Sequence, residues 1–169
     1  MGSTLTVDNI VGATTAANVK LPAGAVLNCV QFVYPTYSTT TSSSYAASGI
    51  TMNITPKYTS SKVLVQITAT VGNSGADAAE NAFALYRAIG GASASEIETF
   101  ERGIFVNSSD NNAVHADASV AFQFLDSPNT TSNTVYTLYG RTSAGTLRYN
   151  DHQVSGKGQS AITLWEIAG

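Results

Sequence analysis

The chain has 169 residues and a mass of 17.5 kDa, and it carries a formal net charge of −3 with only 11% charged residues. That length fits one domain with its own core, and 43% hydrophobic residues exclude disorder for want of core-forming side chains. The lack of a basic excess argues against a groove built on phosphate neutralisation, and a single cysteine, Cys29, excludes a disulfide framework or a multi-cysteine zinc site.

The first 24 residues stand apart. Leu5, Val7, Ile10, Val11, Val19 and Leu21 are scattered among Thr, Asn, Ala and Gly, and Pro22 and Gly24 end the stretch. Such a segment is too thinly apolar to pack a core of its own, so residues 1–24 read as an extended docking arm and residues 25–169 as the folded domain. Neither a signal peptide nor an apolar run of transmembrane length is present, so a chain that is made in a cytoplasm and stays soluble is expected.

Beyond the arm, period-two alternation dominates. A strand is expected over Val26 to Val33, where Cys29 reads as a buried, inert thiol. The alternation of Ile50, Met52 and Ile54 predicts a half-buried strand, and Val63, Val65, Ile67, Ala69 and Val71 predict another with Gln66, Thr68 and Thr70 facing out. Ala76 to Ala88 contains good helix formers, but Phe83, Leu85 and Ile89 alternate with Ala84, Tyr86 and Ala88, which favours a strand ending at a Gly90-Gly91 turn. A further strand is expected around Ile97. From Ala113 to Leu125, Val114, Ala116, Ala118, Val120, Phe122 and Phe124 share one face, and His115, Asp117, Ser119, Ala121 and Gln123 the other. Asn133 to Arg141 alternates more loosely, through Val135, Thr137 and Tyr139, and Ala161 to Ile167 is the last strand. Turn clusters rich in Ser, Asn, Asp, Gly and Pro separate these runs, at 39–44, 55–61, 72–77, 107–112, 126–132 and 155–158. About eight short strands at this spacing predict an all-β antiparallel sandwich or barrel.

Candidate chemistry is sparse. Glu96 and Glu98, at i and i+2, would share a strand face as a glycosidase acid pair does, but a solvated face beside Arg102 is the favoured reading. His115 and Asp117 share a face lined with small residues, where a subunit contact is the alternative to solvent exposure. No G-x-S-x-G elbow is present, and the oxygen-rich stretch Asn107 to Asn112 departs from an EF-hand spacing. No enzymatic activity, metal or cofactor is expected. Tyr34, Tyr37, Tyr45 and Tyr58 fall in or beside loops, as contact surfaces or as ordinary strand-end caps.

Several segments, in order along the chain, resemble a family of small virion proteins of tailed bacteriophages. Ser3-Thr4-Leu5-Thr6-Val7-Asp8-Asn9-Ile10 with Gly12 to Thr15 is similar to its opening, and Ile54-Thr55-Pro56 leading to Ser60-Ser61-Lys62-Val63-Leu64-Val65 to its turn and strand. Leu125-Asp126-Ser127-Pro128-Asn129-Thr130-Thr131 and Ile162-Thr163-Leu164-Trp165-Glu166-Ile167 are similar to its end. Trp165 stands where the family more often has Met, and 74–112 is a variable stretch. The resemblance implies a jelly-roll-like β-sandwich that forms a homotrimer on the virion. Capsid decoration, with the major capsid protein as partner, is the favoured role. A tail-fibre or receptor-binding head that docks on a tail adaptor and binds host surface polysaccharide is the alternative. Neither implies nucleic-acid binding or membrane insertion. In either role the arm residues Leu5, Val7, Ile10, Val11 and Leu21 would dock on a neighbour, with His115 and Asp117 as a possible subunit contact.

Overall fold

The computed structural model describes residues 21–75, 79–106, 116–151 and 158–169. Ten strands follow in order: β1 (Val26–Tyr34), β2 (Ser38–Thr40), β3 (Ala46–Ile54), β4 (Lys62–Ser74), β5 (Ala79–Ile89), β6 (Ser95–Val106), β7 (Ala116–Asp126), β8 (Thr134–Thr142), β9 (Thr146–Tyr149) and β10 (Ser160–Ile167). No helix occurs among the described residues, so none there is long and apolar enough to cross a membrane.

All ladders are antiparallel. One sheet is built on β1-β10-β4-β7, and the other has the order β3-β8-β5-β6. The chain passes from β1 to β3 in the opposite sheet, back to β4, over to β5 and β6, back to β7, over to β8 and back to β10. That alternation between two four-stranded sheets is the jelly roll. β2 and β9 are additions: β9 pairs with the far end of β4 at 71–74, and β2 pairs with β9, extending the first sheet to six strands. These two short strands account for ten elements where eight were expected; β2 takes up part of the predicted turn at 39–44.

The alternation expected for β4 is the alternation observed. Val63, Val65, Ile67, Ala69 and Val71 are buried, whereas Gln66 and Thr68 are exposed. From the facing sheet come Ile50, Ile54, Phe83, Leu85, Tyr136 and Leu138, all buried. Each such side chain contributes roughly 1.5–3 kcal/mol when fully buried. Phe122 of β7 joins the layers, stacked on Phe100 at 4.5 Å and tilted against Phe83 at 5.4 Å. The stretch 79–89 is strand, and Gly90 and Gly91 make its turn with φ of 60° and 83°. Two successive positive φ values suit a tight hairpin, and the Ala92 N–H closes it on the Ile89 carbonyl at 3.1 Å.

Three expectations are corrected. Cys29 is exposed, because it faces outward from β1, an edge strand with only β10 beside it. In β8 the inward set is Thr134, Tyr136, Leu138 and Gly140, so Val135, Thr137 and Tyr139 are half-buried on the outer face. Both phases of that strand carry apolar residues, and pairing with Leu85 and Met52 selects the second. Glu96 and Glu98 do not share a ladder face: a register shift sets Glu96 opposite Tyr86 but Glu98 opposite buried Leu85. A bulge of this kind interrupts the two-residue period.

Candidate interaction surfaces

The outer face of the first sheet is built in rows that the register fixes. Cys29, Trp165, Leu64 and Leu125 lie side by side across β1, β10, β4 and β7. The next row is Gln31, Thr163, Gln66 and Gln123, and the third is Val33, Ala161, Thr68 and Ala121. None of these twelve side chains is charged. Gln31 donates from Nε2 to Thr163 Oγ1 at 2.8 Å, and Trp165 donates from Nε1 to Gln66 Oε1 at 2.8 Å. The amide row floors a shallow depression of about 460 Å³. Leu125 is 49% exposed at the β7 side, and Phe32 is 48% exposed at the β1 side. Phe32 packs edge-on against Tyr34, whose hydroxyl donates across to the Thr51 carbonyl of β3 at 2.5 Å. A patch without charges loses little hydration free energy when another surface covers it, since no ion within it has to be desolvated.

The outer face of the second sheet is aromatic and charged. Tyr86 and Tyr139 stack with ring centroids 3.9 Å apart and an interplanar angle of 18°. Tyr45 is tilted by 59° to Tyr86 at 6.4 Å, and the Arg141 guanidinium lies 5.5 Å from the Tyr45 ring centre. The Glu96 carboxylate accepts the Tyr86 hydroxyl at 3.1 Å and the Thr99 hydroxyl at 2.5 Å. Burial first, and Glu96 second, push the Tyr86 hydroxyl above its ordinary range, which keeps it a donor.

Two buried acidic centres sit between these faces and the ends of the sandwich. Asp126 accepts both oxygens' worth of bonding from Arg87 Nη1 at 2.7 Å and takes the Tyr136 hydroxyl at 2.7 Å. Glu166, 2% exposed, accepts the Lys57 N–H at 2.5 Å and the Ser61 hydroxyl at 2.7 Å. The partners of Glu166 belong to the 55–61 turn, and those of Asp126 to β5 and β8 of the facing sheet. Among the described residues no group of three His, Cys, Asp or Glu side chains is placed to hold a metal.

Of the expected site residues, Leu5, Val7, Ile10, Val11 and His115 lie outside the described residues, as does the stretch 107–112. Leu21 is 50% exposed and lines a hollow with Lys57, Tyr58, Ser60 and Thr131, so the chain enters the domain at the end bearing the 55–61 turn. Asp117 pairs through its backbone with Gly72 of β4 near the far end of β7. Tyr37 is exposed and Tyr58 half-buried under the Lys57 ammonium, 5.7 Å from its ring centre. The glutamine row and the Tyr86–Tyr139 pair escaped the sequence reading, because each joins strands far apart in the chain.

No family model matches the chain, and no curated protein matches it. Among solved structures the chain is similar to a chain of the structure of infectious bursal disease virus Gx strain, at 9% identity with a TM-score of 0.36. The similarity covers 85% of this chain and 37% of that one, so this chain spans well under half of the neighbour's length.

Proposed function

We propose that the chain is a structural protein of a bacteriophage particle, a homotrimeric decoration protein that sits on the capsid and ties neighbouring shell subunits together. The observation that carries this reading is the outer face of the β1-β10-β4-β7 sheet, twelve neighbouring uncharged side chains on a rigid jelly roll. It joins the segment-by-segment resemblance to phage virion proteins, which implies the same sandwich and threefold assembly. A closed trimer needs two different patches on each chain. The glutamine-row face and the exposed Phe32 edge of β1 are two such patches, on adjoining sides of one strand. The mechanism is mechanical: the sandwich supplies stiffness, and residues 1–24 lie across the major capsid protein. An arm of that kind loses roughly 1–2 kcal/mol of conformational entropy per ordered residue, offset by burial of Leu5, Val7, Ile10 and Leu21. The balance is thin for one arm, so three arms on one trimer add the avidity a single arm lacks.

Light scattering on the purified protein tests the assembly, with a trimer mass expected and Gln66→Glu with Gln123→Glu shifting it toward monomer. Removal of residues 1–20 should leave the circular dichroism spectrum and melting transition nearly unchanged but abolish binding to capsid shells of the phage that encodes the protein. A monomer that persists at high concentration, or full shell binding by the truncated chain, overturns the reading.

A further inference from the structure

We propose that the outer face of the β3-β8-β5-β6 sheet is a binding platform for a neutral oligosaccharide, with Tyr45, Tyr86 and Tyr139 packing against sugar rings and Glu96 and Arg141 hydrogen-bonding their hydroxyls. The proposal does not depend on the virion role, since it concerns the opposite sheet from the one assigned to assembly.

The argument begins with what this face spends its residues on. The outward positions of β5 beneath the tyrosines are Ala82 and Ala84, opposite Arg141 and Tyr139. Both alanines are covered almost completely although they point away from the core. The three rings lie in one cluster rather than apart. Tyr86 and Tyr139 are each half-buried, and their near-parallel stack meets Tyr45 at 59°, which forms an angled aromatic corner. Sugar rings present C–H groups on their faces and hydroxyls around their rims. An aromatic surface bordered by a carboxylate and a guanidinium matches both parts, and tyrosine supplies it at low entropic cost.

The polar groups are already oriented. Glu96 is fixed by the Tyr86 and Thr99 hydroxyls, one on each oxygen, and an ionised carboxylate retains further lone pairs for outside donors. Arg141 is held over the Tyr45 ring with its donors available around the guanidinium edge. The two charges are of opposite sign, so the platform favours no net charge in its ligand. A net charge of −3 and the absence of a basic stripe weigh against a nucleic acid stacking on the same rings.

The test is an NMR titration of protein labelled in its aromatic side chains with maltohexaose, cellohexaose, chitohexaose and galactohexaose, each taken to millimolar concentration. Shifts in the ring signals of Tyr86 and Tyr139 are expected with at least one probe, while the Trp165 indole on the opposite sheet stays still. Tyr139→Ala and Tyr139→Leu should both weaken that binding about tenfold or more. Glu96→Gln should weaken it without moving the thermal transition. Tyr139→Leu keeps bulk over Ala84, so it separates loss of the ring from loss of folding. No tyrosine shift with any of the four probes overturns the proposal, as does a response centred on Trp165. A change of assembly mass in Tyr139→Leu overturns it in favour of a protein contact on this face.

Discussion

The carboxylate of Glu166, on the last strand, accepts the hydroxyl proton of Ser61, at the end of the turn that leads into β4. These residues lie in two of the segments that carry the resemblance to phage virion proteins, and the fold brings the segments into contact. The Lys57 N–H completes the pair of donors, so one buried carboxylate holds the 55–61 turn against β10. The third segment behaves likewise, with Asp126 gathering Arg87 and Tyr136. The acidic residues of these segments therefore serve the architecture.

Glu166→Ala should lower stability by about 3 kcal/mol, because it strands two donors that a charged acceptor now satisfies. For a domain of this size that corresponds to a fall in Tm of about 6–12 °C. Urea unfolding of both proteins measures it. An unchanged midpoint would mean that water replaces the carboxylate at no cost.

Arg87→Ala should cost about 3 kcal/mol, since it leaves the Asp126 carboxylate, 8% exposed in its side chain, without its cation. Tyr136→Phe should cost about 1–2 kcal/mol. In an Asp126→Asn background both losses should shrink, because the charge they serve is gone. Additive losses across that double-mutant cycle would show that the three groups do not act together.

Gly140 lies under the ring of Tyr149, and a methyl group there would meet the Tyr149 hydroxyl and the Leu147 side chain. That hydroxyl is buried and has no hydrogen-bond partner among the described residues. Gly140→Ala is expected to destabilise by about 1–3 kcal/mol through overpacking. Tyr149→Phe should be neutral or stabilising, and it should rescue part of the Gly140→Ala loss. Thermal melts of the four proteins decide; a rescue of zero would place the clash at Leu147 alone.

Burial pushes the hydroxyls of Tyr136 and Tyr149 well above the ordinary tyrosine value of 10.0, with Asp126 adding to the shift at Tyr136. A group whose folded pKa is raised contributes stability that is complete below its unfolded value and is lost as pH rises past it. Stability should therefore be flat through neutral pH with respect to these groups and fall steeply above about pH 10. Tyr136→Phe should lessen that fall. Urea midpoints taken across the alkaline range, with tyrosinate absorbance followed in parallel, measure it. An equal slope in the variant would assign the fall to other groups.

The parts of this fold that were legible in the sequence are those decided within one strand. β4 shows its inward face plainly because Val63, Val65, Ile67, Ala69 and Val71 alternate with polar residues. β8 does not, because Val135 and Tyr139 compete with Tyr136 and Leu138 and only the neighbouring strands break the tie. The exposure of Cys29 depends on which face of β1 turns outward and on β1 lying at a sheet edge, which composition does not encode. The bulge that parts Glu96 from Glu98 adds no residue type that distinguishes it from regular strand. Both candidate faces depend on register between strands distant in sequence: Gln31, Gln66 and Gln123 on one, Tyr45, Tyr86 and Tyr139 on the other.

β10 lies between β1 and β4, so the first and last strands of the described residues are hydrogen-bonded neighbours along nearly their whole lengths. During synthesis β1 has no ladder partner while β2 to β9 leave the ribosome. The edge of β4 over 62–68 is likewise open until Ser160 to Ile167 emerge. The first sheet can close only late, by a long-range pairing of the kind that folds slowly. Ribosome-bound chains stalled before Ser160 should be cut readily by protease, and release past Ile167 should confer resistance. For the producing cell, an unpaired β1 bearing Phe32 and Val33 is the stage at which newly made chains are most exposed to clumping.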